Sequence, residues 1–180
     1  LIAYIVLFFW GNNLIVKELK NNKEPTFIYA VTMQNHGTYL DTRYNEDTLT
    51  ITESFSEDSN QIINTYGTGI IHSDKMLQSL FVQITKLDEP TLIVFFGDHL
   101  PTLGDVFTEL GYVDDMGNQS LTEALKMKQT PLVVWNNYAK EIQSLDSISS
   151  SFLAPKIMEW AELESPIYYH FLNSIRQEIP

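Results

Sequence analysis

Thr91-Leu92-Ile93-Val94-Phe95-Phe96-Gly97-Asp98-His99-Leu100-Pro101 is the stretch on which the fold turns. Residues 92–96 are uninterruptedly apolar and follow Asp88-Glu89-Pro90, which breaks whatever comes before. A short apolar run bounded by turn residues reads as a strand buried on both faces. It ends in Gly97-Asp98-His99, and α/β sheets bind ligands beyond the carboxyl ends of their strands. A carboxylate oxygen and an imidazole nitrogen therefore sit side by side where a site belongs. Asp98 and His99 read either as a metal-binding pair or as a polar turn. Two adjacent ligands do not close a metal site by themselves.

Working outward, the same layout recurs upstream. Pro25 precedes the apolar residues 26–31, which run into Gln34-Asn35-His36-Gly37. A third apolar run, residues 132–135, follows Pro131 and ends in Asn136-Asn137. Helical stripes separate the runs, which predicts three neighbouring, mostly parallel strands in one sheet flanked by helices, an α/β fold. A short amphipathic helix is expected around Leu14, Ile15 and Leu19. Ser73 is expected to cap a helix whose stripe is Met76, Leu77, Leu80, Phe81, Ile84 and Leu87, with Asp74 in its first turn. Residues 41–64 read as a long polar excursion with an edge strand at 48–52. Short helices are expected over 103–110 and 121–127, with a turn at 113–120 between them. A helix over 152–163 follows. Ser165 and Pro166 then open a last helix with the buried stripe Tyr169, Leu172 and Ile175.

The chain has 180 residues, enough for one ordinary core. Its net charge of −12, with no Lys/Arg cluster, excludes nucleic acid as a partner. It has no cysteine, hence no disulfide, thiolate nucleophile or zinc–thiolate centre. The apolar residues 1–10 are shorter than the roughly 20 residues a bilayer span takes. They read as a buried strand or helix edge, or as a membrane-proximal remnant. No Gly-x-Ser-x-Gly elbow, P-loop or dinucleotide fingerprint is present. A carboxylate with one or two imidazoles suits manganese, magnesium or zinc. Such a metal stabilises charge on a phosphoryl oxygen or activates a hydroxyl.

Phe95-Phe96-Gly97-Asp98-His99-Leu100-Pro101 and Thr32-Met33-Gln34-Asn35-His36-Gly37-Thr38-Tyr39 together resemble the lipoteichoic acid synthase-like sulfatases. These are phosphoglycerol transferases of the alkaline phosphatase superfamily. Thr130 to Asn137 looks like that family's late core strand, and Ser165 to Leu172 with Ile179-Pro180 like its closing helix. The resemblance runs from about Trp10 to Pro180. It implies an alkaline phosphatase-like fold and an extracellular domain anchored to the cell membrane through an N-terminal region. It also implies a divalent metal, usually manganese, and a glycerol-phosphate or anionic lipid substrate. Asp98 and His99 would be metal ligands, and His36 would contact the substrate phosphate or its glycerol. The family's nucleophilic Thr and Glu ligand belong to an N-terminal half with no counterpart here, so no catalytic nucleophile is assigned. Residues 1–180 are accordingly expected to be the C-terminal portion of such a catalytic domain. The activity implied is metal-dependent phosphoglycerol transfer, or hydrolysis of a phosphoric or sulfuric ester, in envelope polymer synthesis. The alternative is a non-catalytic truncated relative that binds envelope polymer or lipid headgroups. His72 reads as structural or as a support of the site, His170 as packing, and Arg43 as a solvated loop residue or a contact to an anionic headgroup.

Overall fold

The computed structural model describes residues 2–7, 11–22, 24–41, 43–44, 49–138, 141–176 and 178. The chain divides into two compact units, residues 1–89 with 97–130, and residues 90–96 with 131–180.

In the first unit, β1 (Ile2–Leu7) pairs in parallel with β2 (Phe27–Thr32), and α1 (Gly11–Asn21) connects them. The strand expected over 26–31 is thus present one residue later. The strand reading of the first ten residues also holds for 2–7. The helix expected from Ser73 is instead one 28-residue helix, α2 (Glu57–Ile84). Ser73 and Asp74 lie in its middle. The true cap is Ser56, whose side chain accepts from Ser59 N, with Glu57 and Asp58 in the first turn. Gly67 and Gly69 weaken local helix propensity, and tertiary contacts override it. A Cβ at Gly67 would overlap the Leu49 side chain, and one at Gly69 would overlap the Asn35 amide. Residues 49–52 form no strand, so the expected edge strand is absent there; Thr48 lies outside the described residues.

Two short helices follow, α3 (Val106–Glu109) and α4 (Leu121–Lys126), inside the expected windows. Glu109 ties α3 to the start of α2, accepting from Ser59 Oγ at 2.6 Å, Ser56 Oγ at 2.8 Å and Ser56 N at 3.0 Å. Those bonds, Ser59 first, hold its carboxyl below the ordinary range. Ser120 and Glu123 form a capping box at α4. Bonds from Ser120 and from Asp114 N bring the Glu123 pKa down to about 2. A depressed carboxyl contributes stability that is complete above its unfolded pKa and lost as pH falls through its folded one. For Glu123 that window runs from about 4.5 to about 2. Glu123→Gln should therefore flatten the fall of the urea midpoint with pH across this window. An unchanged slope would show that the box does not persist in solution.

The core of this unit is Tyr39, Leu103, Val106, Phe107 and Val113, with Ile62, Ile63, Tyr66, Leu100, Tyr112 and Met127 packed on it. Val106 is wholly buried, and Tyr39 meets Tyr66 edge to face at 5.4 Å.

In the second unit, β3 (Leu92–Phe96) pairs with β4 (Leu132–Asn136). The pairing is antiparallel, Phe96 opposite Leu132 and Leu92 opposite Asn136. This corrects the expected three-stranded, mostly parallel sheet: β2 pairs with β1, and β3 with β4. Apolar runs and Pro boundaries report where strands are, not which way the returning chain runs. Helices α5 (Ser150–Trp160) and α6 (Ile167–Arg176) pack together. Tyr169, Leu172 and Ile175 form the half-buried stripe of α6, as expected, while Ile167, Tyr168 and Phe171 are exposed. The architecture is a mixed α/β fold.

Candidate active site

Two loops of the first unit carry the predicted site residues. One leaves β2 and contains His36; the other contains Asp98 and His99. Both are rooted in the same core, the first through buried Tyr39 and the second through Leu100 and Leu103.

The Asp98 loop begins at Gly97. A Cβ there would stand 3.1 Å from Thr130 Cβ, and Thr130 Oγ1 donates to Gly97 O at 2.7 Å. Close approach, rather than a left-handed backbone, is therefore what favours glycine. Asp98 Oδ1 accepts from His99 N at 3.0 Å. His99 Nδ1 lies 2.7 Å from Leu100 O. A carbonyl can only accept, so Nδ1 carries a proton, and in the neutral ring Nε2 keeps its lone pair. That lone pair is 3.7 Å from Asp98 Oδ2, and the side chains are 66% and 82% exposed for His99 and Asp98. Two Lewis bases thus face solvent side by side. A backbone carbonyl on Nδ1 is the arrangement that orients a metal-binding imidazole.

The His36 loop repeats the device. His36 Nδ1 lies 3.0 Å from Gly37 O, which again leaves Nε2 as the free base. His36 N closes a turn onto Met33 O at 3.2 Å. Buried Tyr39 donates its hydroxyl to Asn35 O at 2.6 Å, and burial raises the phenol pKa, which keeps that proton in place. Asn35 Nδ2 donates to Ser73 Oγ at 3.2 Å, and Gln34 Nε2 meets His72 Nδ1 at 3.1 Å. His72 also meets Tyr44 edge to face at 5.0 Å. The middle of α2 thus holds the segment after β2, a role that sequence reading missed because it began the helix at Ser73. The missed signal was Gly69, the opening into which Asn35 fits.

Gly69→Ala tests this docking. Alanine in a helix gains about 1 kcal/mol over glycine. Overpacking costs about 1–3 kcal/mol, and a lost Asn35–Ser73 bond about 1 more. The overlap should win, giving a net loss of stability in thermal melts. A gain would show that Asn35 does not pack there.

The other candidates belong to the second unit. Asn137 Oδ1 accepts from Thr91 N at 2.7 Å, tying the end of β4 to the start of β3, and Asn136 Oδ1 accepts from Tyr138 N at 3.2 Å in a local turn. His170 is exposed on α6. Among the described residues, no group of three or more His, Cys, Asp and Glu could hold a metal ion. Asp98 and His99 offer the right donor chemistry but fewer donors than a complete coordination shell.

The sulfatase family model matches residues 11–163. A Rhizobium meliloti (strain 1021) protein described as a cyclic beta-1,2-glucan modification protein is 34% identical over 164 residues. That match covers 89% of this chain and 26% of the relative, so the chain spans about a quarter of the relative's length. The Streptococcus pyogenes phosphoglycerol transferase GacH, solved in complex with sn-glycerol-1-phosphate, superposes with a TM-score of 0.66. Its identity is 22%, over 89% of this chain and 40% of GacH, which makes the fold alike. With residues 11–163 matched by the family model, the chain belongs to the sulfatase family.

Proposed function

We propose that this chain supplies part of a metal-assisted transfer site acting on phosphoglycerol esters of the cell envelope. The observation that carries the reading is the paired tautomer. His99 presents a free Nε2 beside the Asp98 carboxylate, and His36 presents a second free Nε2 from a loop rooted in the same core. Asp98 and His99 would hold a divalent cation, manganese by family resemblance, with magnesium or zinc also suited to the donors. The bound metal would supply charge stabilisation at a phosphoryl or sulfuryl oxygen. His36 would orient the phosphate or its glycerol. The nucleophilic Thr and a Glu ligand would come from a preceding half of the catalytic domain, these residues being its C-terminal portion. GacH binding sn-glycerol-1-phosphate, and the relative described for glucan modification, support a glycerol-phosphate donor and a glycan acceptor. The site would work on the outer face of the membrane, anchored through that preceding region. No helix among the described residues is long and apolar enough to cross a membrane.

The test is release of glycerol phosphate from phosphatidylglycerol by this chain joined to that preceding half, with and without chelator and with a competing aryl sulfate. Chelator-sensitive release that prefers the phosphate ester is expected. Chelator-insensitive release or a preference for sulfate would overturn the reading, and no turnover would favour the non-catalytic relative.

A further inference from the structure

Arg43 is an exposed loop residue, as its place suggested, yet its guanidinium is engaged by its own loop. Its NH1 donates to Gln34 O at 3.1 Å and to His36 O at 3.0 Å, and its NH2 donates to Thr38 O. Nε donates to both oxygens of Asp41, at 2.8 and 2.9 Å, and NH2 reaches Asp41 Oδ2 at 2.7 Å. A guanidinium has five N–H donors in a fixed plane. Here all three of its nitrogens have acceptors within this one loop. Three backbone carbonyls that alternate along residues 34–38 converge on one planar cation, and Asp41 balances its charge. A further anion would have to displace one of these bonds. The Arg43 side chain is only 25% exposed, and its guanidinium carbon lies 5.9 Å from the Tyr39 ring centre.

We propose that Arg43 is the positioning residue of the His36 loop, holding His36 Nε2 outward without itself touching substrate. Its functional meaning rests on the reading of His36 as a substrate contact. Lysine cannot replace it, because an ammonium has three donors and no plane.

The test compares the parent protein with Arg43→Lys and Arg43→Ala by NMR of nitrogen-labelled histidine and by amide exchange over residues 35–38. The parent His36 should show its proton on Nδ1. Both variants should lose that preference, and exchange should quicken about tenfold. Methylguanidinium, but not methylammonium, should restore part of the parent spectrum in Arg43→Ala. Arg43→Lys keeps the stem and charge, so it remains informative if Arg43→Ala does not fold. An unchanged His36 spectrum and unchanged exchange in folded variants would overturn the proposal. Turnover of phosphatidylglycerol by this chain joined to the preceding half is the second arm, with a fall of about 10–100-fold expected from a misplaced group. Turnover that falls while the loop stays ordered would place Arg43 on the substrate and overturn positioning. A loosened loop with turnover unchanged would also overturn positioning if His36→Ala lowers turnover. If His36→Ala leaves turnover unchanged too, the reading of His36 fails while the structural role of Arg43 stands.

Discussion

Phe107→Ala is expected to destabilise the protein by about 3–5 kcal/mol, the range for deleting a buried aromatic ring. Phe107 sits in the core of the first unit, 7% exposed and 5.6 Å from the Tyr112 ring. A protein of this size holds about 5–15 kcal/mol in total. The melting temperature should therefore fall by roughly 6–20 °C, at about 2–4 °C per kcal/mol. Leu110→Ala, at a side chain more than half exposed, serves as control and should change stability by less than about 0.5 kcal/mol. The functional consequence follows from what this core anchors. Tyr39 and Leu100 come from the two site loops, so exchange of amides in both loops should quicken together in Phe107→Ala. If only one loop loosens, the shared anchoring is wrong.

What the sequence disclosed depended on the range of the physics involved. Leu92–Phe96 was legible to the residue, because an apolar run between Pro90 and Gly97 needs no distant partner to be recognised. The short helix α4 and the stripe of α6 were legible for the same reason. Strand direction was not, since the antiparallel return of Leu132 onto Phe96 is settled by tertiary pairing. The first half of α2 was hidden by Gly67, Thr68 and Gly69, residues whose reason lies in Leu49 and Asn35. At the site, Asp98, His99 and His36 could be named from their strand-end positions. Their tautomers, and the Arg43 fork, depend on where backbone carbonyls fall, which no spacing rule conveys.

Asp98→Ala carries the second large effect. Losing groups that merely orient a metal ligand costs about 10–100-fold in affinity or activity, so losing the ligand itself should cost at least about 100-fold. The loss should appear in turnover and in manganese affinity alike, with little change in melting temperature. Asp98 is exposed, and its only described bonds or ion pairs are with its neighbour His99, so truncation opens no cavity. Asp98→Asn keeps the Oδ1 bond to His99 N but removes the charge, and should fall nearly as far. If Asp98→Asn retains full activity, the carboxylate serves the loop and not a cation.

The most direct measurement is paramagnetic broadening of the four histidine signals by substoichiometric manganese. One metal-assisted site built from both loops predicts that His99 and then His36 broaden first. Asp98→Ala should remove the selectivity. Uniform broadening of all four, or selective broadening that survives Asp98→Ala, would contradict the assignment of Asp98 and His99 as the metal pair.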